Sequence, residues 1–269
     1  MNDMSAGTVT ASQRRTMKQV GRIAELWRYP VSSLGGETCH TVNVDMNGIV
    51  GDREFGIFDT STGLAAAPEK DVRWRSALFL RSTLDENGLP RIHFPDGAAV
   101  SVIDKTVLFR LSNHFGFDVG IGRYARTNLP EAAGLPIISN RYDPSPLHII
   151  TTQSLRTLAR LASLDEMNQR RFRPAVLIET GSPDPEESGF IEESWLGATL
   201  RLGAQRVQVS EKAKRCGMTL IAQPELTEQP EILRTLVRRN ARNFGIYCHI
   251  PQPGTLTVEA NVNLEVMTL

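Results

Sequence analysis

Cys216 is the residue of this chain best placed for reactive sulfur chemistry. It lies in the segment KAKRCGMT, directly after Lys214 and Arg215 and before Gly217. Positive neighbours stabilise the thiolate, which is the nucleophilic and metal-ligating form of cysteine, and the small Gly217 leaves room for a ligand. We hypothesise that Cys216 is a soft metal ligand or a nucleophile. A place in an apolar core is the alternative for a lone cysteine.

Two arginine-bearing segments could bind an anion. In RRFRP, Arg171 and Arg173 would share one face of an extended segment, so that two guanidinium groups could meet one phosphate. A solvated charge run at the entrance of a strand is the competing interpretation. In GDREF, Arg53 follows a turn and could contact a phosphate or pair with a neighbouring carboxylate.

Two hydroxyl-bearing loops are further candidates for an anion site. Ser32 and Ser33 lie in SSLGG, whose hydroxyls and flexible backbone amides suit an oxyanion, although the segment lacks the P-loop pattern. Thr152 and Ser154 lie in TTQS at a predicted strand-to-helix junction, where free backbone amides attract anions. Helix capping is the alternative for TTQS. Together these residues predict a cleft for a phosphate-bearing cofactor.

The composition restricts the possible functions. The chain has 269 residues, 41% hydrophobic and 22% charged, and 30 basic residues balance 30 acidic ones. With no net charge, the chain has no overall field that would attract nucleic acid or anionic lipid, so we expect neither as a partner. We find no apolar run long enough to span a membrane and no signal peptide, and we expect a cytoplasmic protein.

Several common site types lack sequence support. Cys39, Cys216 and Cys248 are too few and too scattered for a disulfide framework, and no CxxC pair indicates structural zinc. We expect Cys39 and Cys248 to be structural. The sequence contains no HExxH, GxSxG or GxGxxG pattern, which argues against a histidine-bound zinc enzyme, a serine hydrolase and a nicotinamide-binding protein.

The elements that must position these residues are short strands and a few helices, which predicts a mainly β protein of the α+β class. We expect a disordered tail over residues 1–19 and a domain junction or long loop near residues 125–147, which are rich in proline and glycine. Strands are predicted at 20–29, 38–44, 56–59, 175–180, 199–203, 205–211, 243–250 and 254–264, with a hairpin at 91–103. Helices are predicted over the leucines 155, 158, 161 and 164, capped by Thr151 or Thr152, and over 230–239.

Seven short segments, taken in their order along the chain, resemble the MOSC superfamily, which is the molybdenum-cofactor sulfurase C-terminal domain with its N-terminal β-barrel partner. The matching segments are VGRIAELWRYPVSSLGGE, GIVGDREFGIFD, PLHIITTQSL, RRFRPAVLIE, FIEESWLG, KRCGMT and NFGIYCHI-x-x-PGTLTVEANVNL. The resemblance implies a MOSC-type β-barrel over 138–269 and a MOSC N-terminal β-barrel-like domain over 20–137.

This resemblance implies that the functional relatives of the chain are the amidoxime-reducing component proteins. That implies a pterin-based molybdenum cofactor (molybdopterin), held by Cys216 as molybdenum ligand, and reductive cleavage of an N–O bond in N-hydroxylated or N-oxide small molecules. The implied cofactor-binding residues, together with those proposed above, are Ser32, Ser33, Arg53, Thr152, Ser154, Arg171, Arg173, Arg215 and Tyr247. No C-x4-C-x2-C spacing indicates a fused iron–sulfur cluster, so a reductase would need a separate electron-donor protein.

The sequence departs from the family pattern at three positions. Ser32 stands where the family usually has lysine, Ala175 where it often has asparagine, and Ala213 where it has a first cysteine. Two alternative functions remain, and the missing lysine and asparagine motivate the first. The protein could be a metal-free sulfur carrier or sulfurtransferase that uses a Cys216 persulfide or thiolate. It could also be a molybdenum-cofactor carrier without catalysis.

Overall fold

The fold is mainly β with a few helices, as predicted. The computed structural model describes residues 14–125, 134–139, 146–181 and 189–268. The strands are β1 (Arg14–Arg28), β2 (Glu37–Cys39), β3 (Thr41–Asp45), β4 (Gly48–Ile49), β5 (Phe55–Asp59), β6 (Arg81–Leu84), β7 (Pro90–His93), β8 (Ala99–Ser101), β9 (Val119–Tyr124), β10 (Ile137–Ile138), β11 (Leu147–Thr151), β12 (Val176–Glu179), β13 (Thr199–Leu202), β14 (Gln205–Lys214), β15 (Asn243–His249), β16 (Gly254–Thr257) and β17 (Asn261–Thr268). The α-helices are α1 (Val107–Phe115), α2 (Thr152–Leu161) and α3 (Pro230–Asn240), and 3₁₀ turns cover Val72–Phe79, Gln169–Phe172, Ile191–Trp195 and Gly217–Leu220.

Seven strands close into a barrel. Their order is β12-β11-β15-β14-β13-β17-β1, and β1 pairs back onto β12. The short strand β2 pairs with the C-terminal end of β1. Apolar side chains alternate along these strands, as Val207 and Val209 do on β14, and the inward members form one buried core with Ile23, Ile149 and Ile246. Closure gives each of the seven strands two neighbours, so the barrel has no free edge.

The first strand begins earlier than predicted. Residues 14–19 pair with β17, from Arg14 opposite Thr268 to Gln19 opposite Asn263, so the expectation of a disordered tail as far as residue 19 is wrong for 14–19. Residues 1–13 lie outside the described part. Because β1 is a barrel strand, the N-terminal part contributes directly to the sheet that the C-terminal strands build. The division at residue 137 stays a prediction.

The rest of the N-terminal part forms smaller sheets around a second core. The predicted hairpin is confirmed, with β7 and β8 antiparallel in a three-stranded sheet with β6. A separate three-stranded sheet contains β5, β9 and β10. Trp74, Phe55 and Leu111 are among the side chains buried between these sheets and α1.

Two helices pack outside the barrel on an apolar layer that includes Leu158, Phe172 and Phe244. Thr151 caps α2 by accepting from the backbone amide of Ser154, as predicted. α2 ends at Leu161 instead of reaching residue 164, since Ser163 adopts a left-handed φ of 56°. α3 confirms the second predicted helix.

Two predicted strands are each divided. The segment 254–264 becomes β16, which pairs with β3, and β17, which lies in the barrel, with Glu259 at a φ of 69° between them. The segment 38–44 is divided between β2 and β3. Most of the irregular stretch 125–147 lies outside the described residues. Among the helices that are described, none is long and apolar enough to cross a membrane.

Candidate functional site

Two of the predicted arginines meet over one aromatic ring. The guanidinium carbons of Arg53 and Arg173 lie 4.8 Å and 4.2 Å from the centroid of the Tyr29 ring. Arg53 also donates from Nη2 to the backbone carbonyl of Arg173 at 3.0 Å. Tyr29 follows β1, Arg53 precedes β5 and Arg173 precedes β12. Three chain segments that are far apart in sequence therefore bring two cations together, and the binding of an anion by Arg53 and Arg173 stays a prediction.

Left-handed backbone occurs at three of the predicted site residues. Ser33, Arg53 and Arg173 have φ values of 68°, 53° and 51°. Residues with a Cβ adopt this region at a cost, and such residues concentrate at binding sites. At Arg53 the geometry is fixed by its amide, which donates to the carbonyl of Tyr29 at 2.8 Å.

A third arginine completes what we call the arginine cluster, namely Arg53, Arg173 and Arg215. Arg215 donates from Nη2 to the carbonyl of Phe172 at 2.6 Å and contacts Nε2 of His148 at 3.4 Å. Phe172 directly precedes Arg173, so this bond ties the end of β14 to the same turn.

The cluster has more donors than partners. Arg53 forms an ion pair with Asp52, whereas Arg173 and Arg215 form no ion pair within the described residues. Nη2 of Arg173, Nε of Arg215 and the Tyr29 hydroxyl are buried without a hydrogen-bond partner in the described part of the chain. Buried polar atoms are normally satisfied, so these three donors indicate where the oxygens of an anion would bind.

The pKa shifts reflect cations held together away from water. Burial lowers the pKa of Arg173 to about 10, and the nearby charge of Arg53 contributes to the shift. Burial also lowers the pKa of Arg215, although Tyr247 and Cys216 oppose that shift. Burial acts in the same direction on Arg53 and is the largest single effect there, but Asp52, Tyr29 and Tyr247 together raise the pKa of Arg53. An added negative charge would stabilise Arg173 and Arg215 in their cationic form.

Cys216 lies next to this cluster and is exposed to solvent. It follows the end of β14 in extended conformation, and its carbonyl accepts from the amide and the hydroxyl of Thr219 at 3.3 and 3.1 Å. The alternative of a core cysteine is therefore wrong for Cys216. Cys248 is fully buried and Cys39 partly so, and burial raises the pKa of both thiols, as expected for structural cysteines.

A buried histidine is part of the site and was not predicted. Burial, and then the charge of Arg215, hold the pKa of His148 well below its usual value, so the imidazole is neutral. The ring of the predicted site residue Tyr247 lies 5.3 Å from that of His148, because the two residues are partners across β11 and β15. Tyr29 and His148 carry no sequence signal that separates them from ordinary strand residues, whereas Asp52 is the neighbouring carboxylate that the alternative for Arg53 predicted.

Arg171 does not belong to the cluster, which corrects the prediction that it shares an anion with Arg173. The segment forms a 3₁₀ turn instead of a strand, and Arg173 ends that turn in left-handed conformation. The alternation of an extended chain is therefore lost. Arg171 is buried and donates to the carbonyls of Thr219 and Thr227 at 3.4 and 2.7 Å.

Thr152 and Ser154, like Arg171, have hydrogen-bond partners outside the arginine cluster. Ser154 is fully buried and its hydroxyl donates to the carboxylate of Glu192, as does that of Thr151 at 2.9 Å. Thr152 contacts the hydroxyl of Thr180 at 3.3 Å. These contacts join α2 to Glu192 and to the residue after β12, not to the arginine cluster.

The serine loop, in contrast, reaches the cluster. Arg173 donates from Nη1 to the carbonyl of Leu34. Ser33 donates to the carbonyl of Ala66 at 3.1 Å, and the amide of Ser32 donates to the carbonyl of Phe55 at 2.8 Å. Both serines are half-buried, so this loop forms one wall of the candidate site.

Of the three departures from the family pattern, two lie in the interior. Ala175 and Ala213 are buried at 3% and 0% exposure, whereas Ser32 is half-buried beside the cluster. Within the described residues no group of three or more His, Cys, Asp or Glu side chains could hold a metal. A metal bound at Cys216 would thus take most of its other ligands from groups other than the His, Cys, Asp and Glu side chains of the described residues.

Two family models match this chain. The MOSC domain matches residues 139–263, and the MOSC N-terminal beta barrel domain matches residues 20–102. No curated protein matches. Similar solved structures include the YuaD protein from Bacillus subtilis, with 11% identity, a TM-score of 0.47 and coverage of 96% of this chain and all of that one. Another is YiiM from Geobacillus stearothermophilus, with 14% identity, a TM-score of 0.34 and coverage of 45% and 54%.

The two domain matches follow one another along most of the chain and contain all three arginines of the cluster, Cys216 and Tyr29. The chain belongs to the MOSC superfamily and carries its N-terminal β-barrel domain.

Proposed function

We propose that this protein binds a pterin-based molybdenum cofactor and uses it to reduce N-hydroxylated or N-oxide small molecules. One observation carries the proposal. Three arginines, of which Arg173 and Arg215 have unsatisfied buried donors, converge beside an exposed cysteine, and this donor set suits a phosphate-bearing, sulfur-ligated metal cofactor.

The arginines would bind and orient the anionic part of the cofactor. Nη2 of Arg173 and Nε of Arg215 are the free buried donors, and each is an N–H that can donate to a phosphate oxygen. Arg53 shares its charge with Asp52, so its contribution is to hold the Arg173 carbonyl and to pack on Tyr29. The neutral imidazole of His148 contacts Arg215 without adding a further positive charge.

Cys216 would hold the metal through its sulfur. Thiolate is a soft ligand that suits molybdenum, and the exposed position of Cys216 lets a ligand approach it. When bound, the molybdenum cofactor supplies the two-electron chemistry that cleaves an N–O bond. In that reaction two electrons and two protons convert the N–OH group to N–H and water, and the electrons come from a separate donor protein.

The test is cofactor content in protein made in a cofactor-competent host. We expect about one molybdenum and one pterin per wild-type chain, and loss of molybdenum in Cys216→Ala because the sulfur ligand is gone. Cys39→Ala is the matched control, since its thiol is half-buried whereas that of Cys216 is exposed, and it should keep the metal. Wild-type protein without molybdenum or pterin would refute the proposal.

A second candidate function is sulfur transfer without a metal. It is favoured by the exposure of Cys216 and by the serine at position 32, which leaves this wall of the site without the family's lysine. In this case the Cys216 thiolate would accept a sulfane sulfur from a persulfide donor and pass it to a nucleophilic acceptor. Intact-mass spectrometry after incubation with a persulfide donor would show a reducible adduct of one sulfur atom, absent in Cys216→Ala. Tight cofactor binding without turnover, given a competent electron donor, would instead indicate a carrier.

A further inference from the structure

Arg171 is a buried cation outside the arginine cluster. Its residue exposure is 5%, and burial lowers its pKa, with Arg170 adding to the shift. Its partners are two backbone carbonyls, those of Thr219 at 3.4 Å and Thr227 at 2.7 Å. Burying a guanidinium group with only carbonyl partners is expensive, so Arg171 is an unusual choice for a purely structural position.

The contacts of Arg171 lead directly to Cys216. Thr219 is fully buried, and both its amide and its hydroxyl donate to the carbonyl of Cys216, at 3.3 and 3.1 Å. Arg171 holds the carbonyl of the same threonine. The backbone of Cys216 is thereby fixed on the side that follows the thiol, at φ −117° and ψ −176°.

The turn that carries Arg171 also holds the other side of Cys216 and the cluster itself. The carbonyl of Phe172 accepts from Arg215, the residue before the thiol. Arg173 then places its guanidinium over Tyr29. Three consecutive residues of one short turn therefore contact the segment after Cys216, the residue before Cys216, and the anion-binding cluster.

We propose that Arg171 is a positioning residue that fixes the Cys216 thiol relative to the arginine cluster, so that an anion bound at the cluster lies against the thiol. The proposal rests on the anion site of the proposed function and adds a role that the cluster residues do not have. Arg171 itself touches neither the anion nor the thiol; it acts through Thr219.

Inorganic phosphate and iodoacetamide, applied to the apoprotein, test this coupling. The rate of Cys216 alkylation is measured by peptide mass spectrometry with and without phosphate, and phosphate affinity by calorimetry. In wild type, bound phosphate should slow alkylation by about fivefold, since it covers the thiol. In Arg171→Met this protection should fall to less than about twofold while the phosphate Kd changes by less than about twofold, because the cluster stays intact.

Three further variants complete the design. Arg171→Lys keeps the charge but has no rigid fork to span two carbonyls, so its protection should be intermediate. Thr219→Val removes only the hydroxyl bond to Cys216 and should also reduce protection, which decides the matter if Arg171→Met does not fold. Arg170→Met is the matched control, because Arg170 bonds the carbonyl of Pro224 from an adjacent position in the same turn, and it should behave as wild type.

The outcomes separate this inference from the proposed function. Wild-type protection in Arg171→Met, or in Thr219→Val, overturns the positioning role. A loss of phosphate affinity in Arg171→Met as large as that in Arg173→Met also overturns it, since Arg171 would then be an anion ligand. Absence of phosphate binding in wild type refutes the anion site, and with it both proposals, whereas failure confined to the Arg171 and Thr219 variants leaves the proposed function standing.

Discussion

Among the carboxyl groups of the described residues, Glu192 has a strongly perturbed pKa. It is fully buried, and its Oε2 accepts from the hydroxyls of Ser154 and Thr151. Its Oε1 has no hydrogen-bond partner in the described part of the chain. Burial raises the pKa of Glu192 from its ordinary 4.5 to about 7, against the opposing effect of the two hydroxyls. The folded state therefore keeps this carboxyl mostly protonated at any pH below its pKa of about 7.

This shift predicts a stability that falls as the pH rises. The unfolded chain loses the Glu192 proton near pH 4.5 and the folded chain near pH 7, so the contribution is full below the first value, declines between the two, and levels off above the second. The free energy of unfolding should fall by about 3 kcal/mol over that window because of this group. In Glu192→Gln the decline should be much smaller, as measured by urea unfolding between about pH 5 and 8.

The exposed Glu86 lies in a turn, so Glu86→Gln provides the control and should keep the wild-type pH dependence. An unchanged slope in Glu192→Gln would show that the Glu192 carboxyl ionises normally in the folded protein.

Sequence predicted the charged members of the candidate site better than their neighbours. Arg53, Arg173 and Cys216 could be identified as candidates because guanidinium groups bind anions and a thiol flanked by cations favours its thiolate form. Tyr29 and His148 could not, since an aromatic ring and a histidine in or beside a strand are equally typical of a core. Their role depends on which strands become neighbours, which no local pattern reports.

A turn in place of the expected extended segment explains why Arg171 was wrongly assigned to the anion site. The spacing of Arg171 and Arg173 places both on one face only if the chain is extended, but the turn Gln169–Phe172 is 3₁₀ and ends with Arg173 in left-handed conformation. The strand itself begins only at Val176. Alternation predicted the barrel strands correctly where they are regular, and failed at this junction because a turn reverses which face a residue occupies.

The close approach of β15 to β11 depends on Gly245. A Cβ at this position would lie 2.6 Å from Nε2 of His148 and 2.7 Å from the carbonyl of Ile149, and φ is +82°. Gly245→Ala should therefore lower the free energy of unfolding by about 3 kcal/mol, through both strain and collision. Denaturant unfolding measures the loss, and phosphate affinity should fall too, because His148 contacts Arg215.

Gly63 provides a matched control for this substitution. It also has a positive φ, +70°, but a Cβ there would meet nothing within 4 Å. Gly63→Ala should cost only the backbone strain, about 1 kcal/mol, so the difference between the two variants isolates the collision with β11. Equal losses in the free energy of unfolding would mean that the collision between β15 and β11 costs nothing, so that the close approach of the two strands does not depend on Gly245.

The whole molecule is held together by pairings that local sequence does not specify. The alternation of β1 predicts a strand, but not that β1 closes the barrel between β17 and β12, two strands from the C-terminal half of the chain. Such pairings depend on the complementarity of distant faces, so the sequence could predict a mainly β protein without predicting which strands meet. The family resemblance, built on seven short segments in one order, implied a β-barrel but not which strands pair in it.

The pairing of residues 14–19 with β17 leads to a prediction about truncation. A chain that begins at residue 20 should be less stable than one that begins at residue 14, because it loses the ladder from Arg14 opposite Thr268 to Gln19 opposite Asn263. β17 would then have an unpaired outer end, and exposed strand edges favour association. We expect a decrease in Tm of about 5 °C and self-association detectable by light scattering. The chain that begins at residue 14 is the control and keeps every β1–β17 pair. If the two truncated chains unfold at the same temperature, residues 14–19 contribute nothing to the barrel, and its closure must rest on the pairs from Gly21 onward.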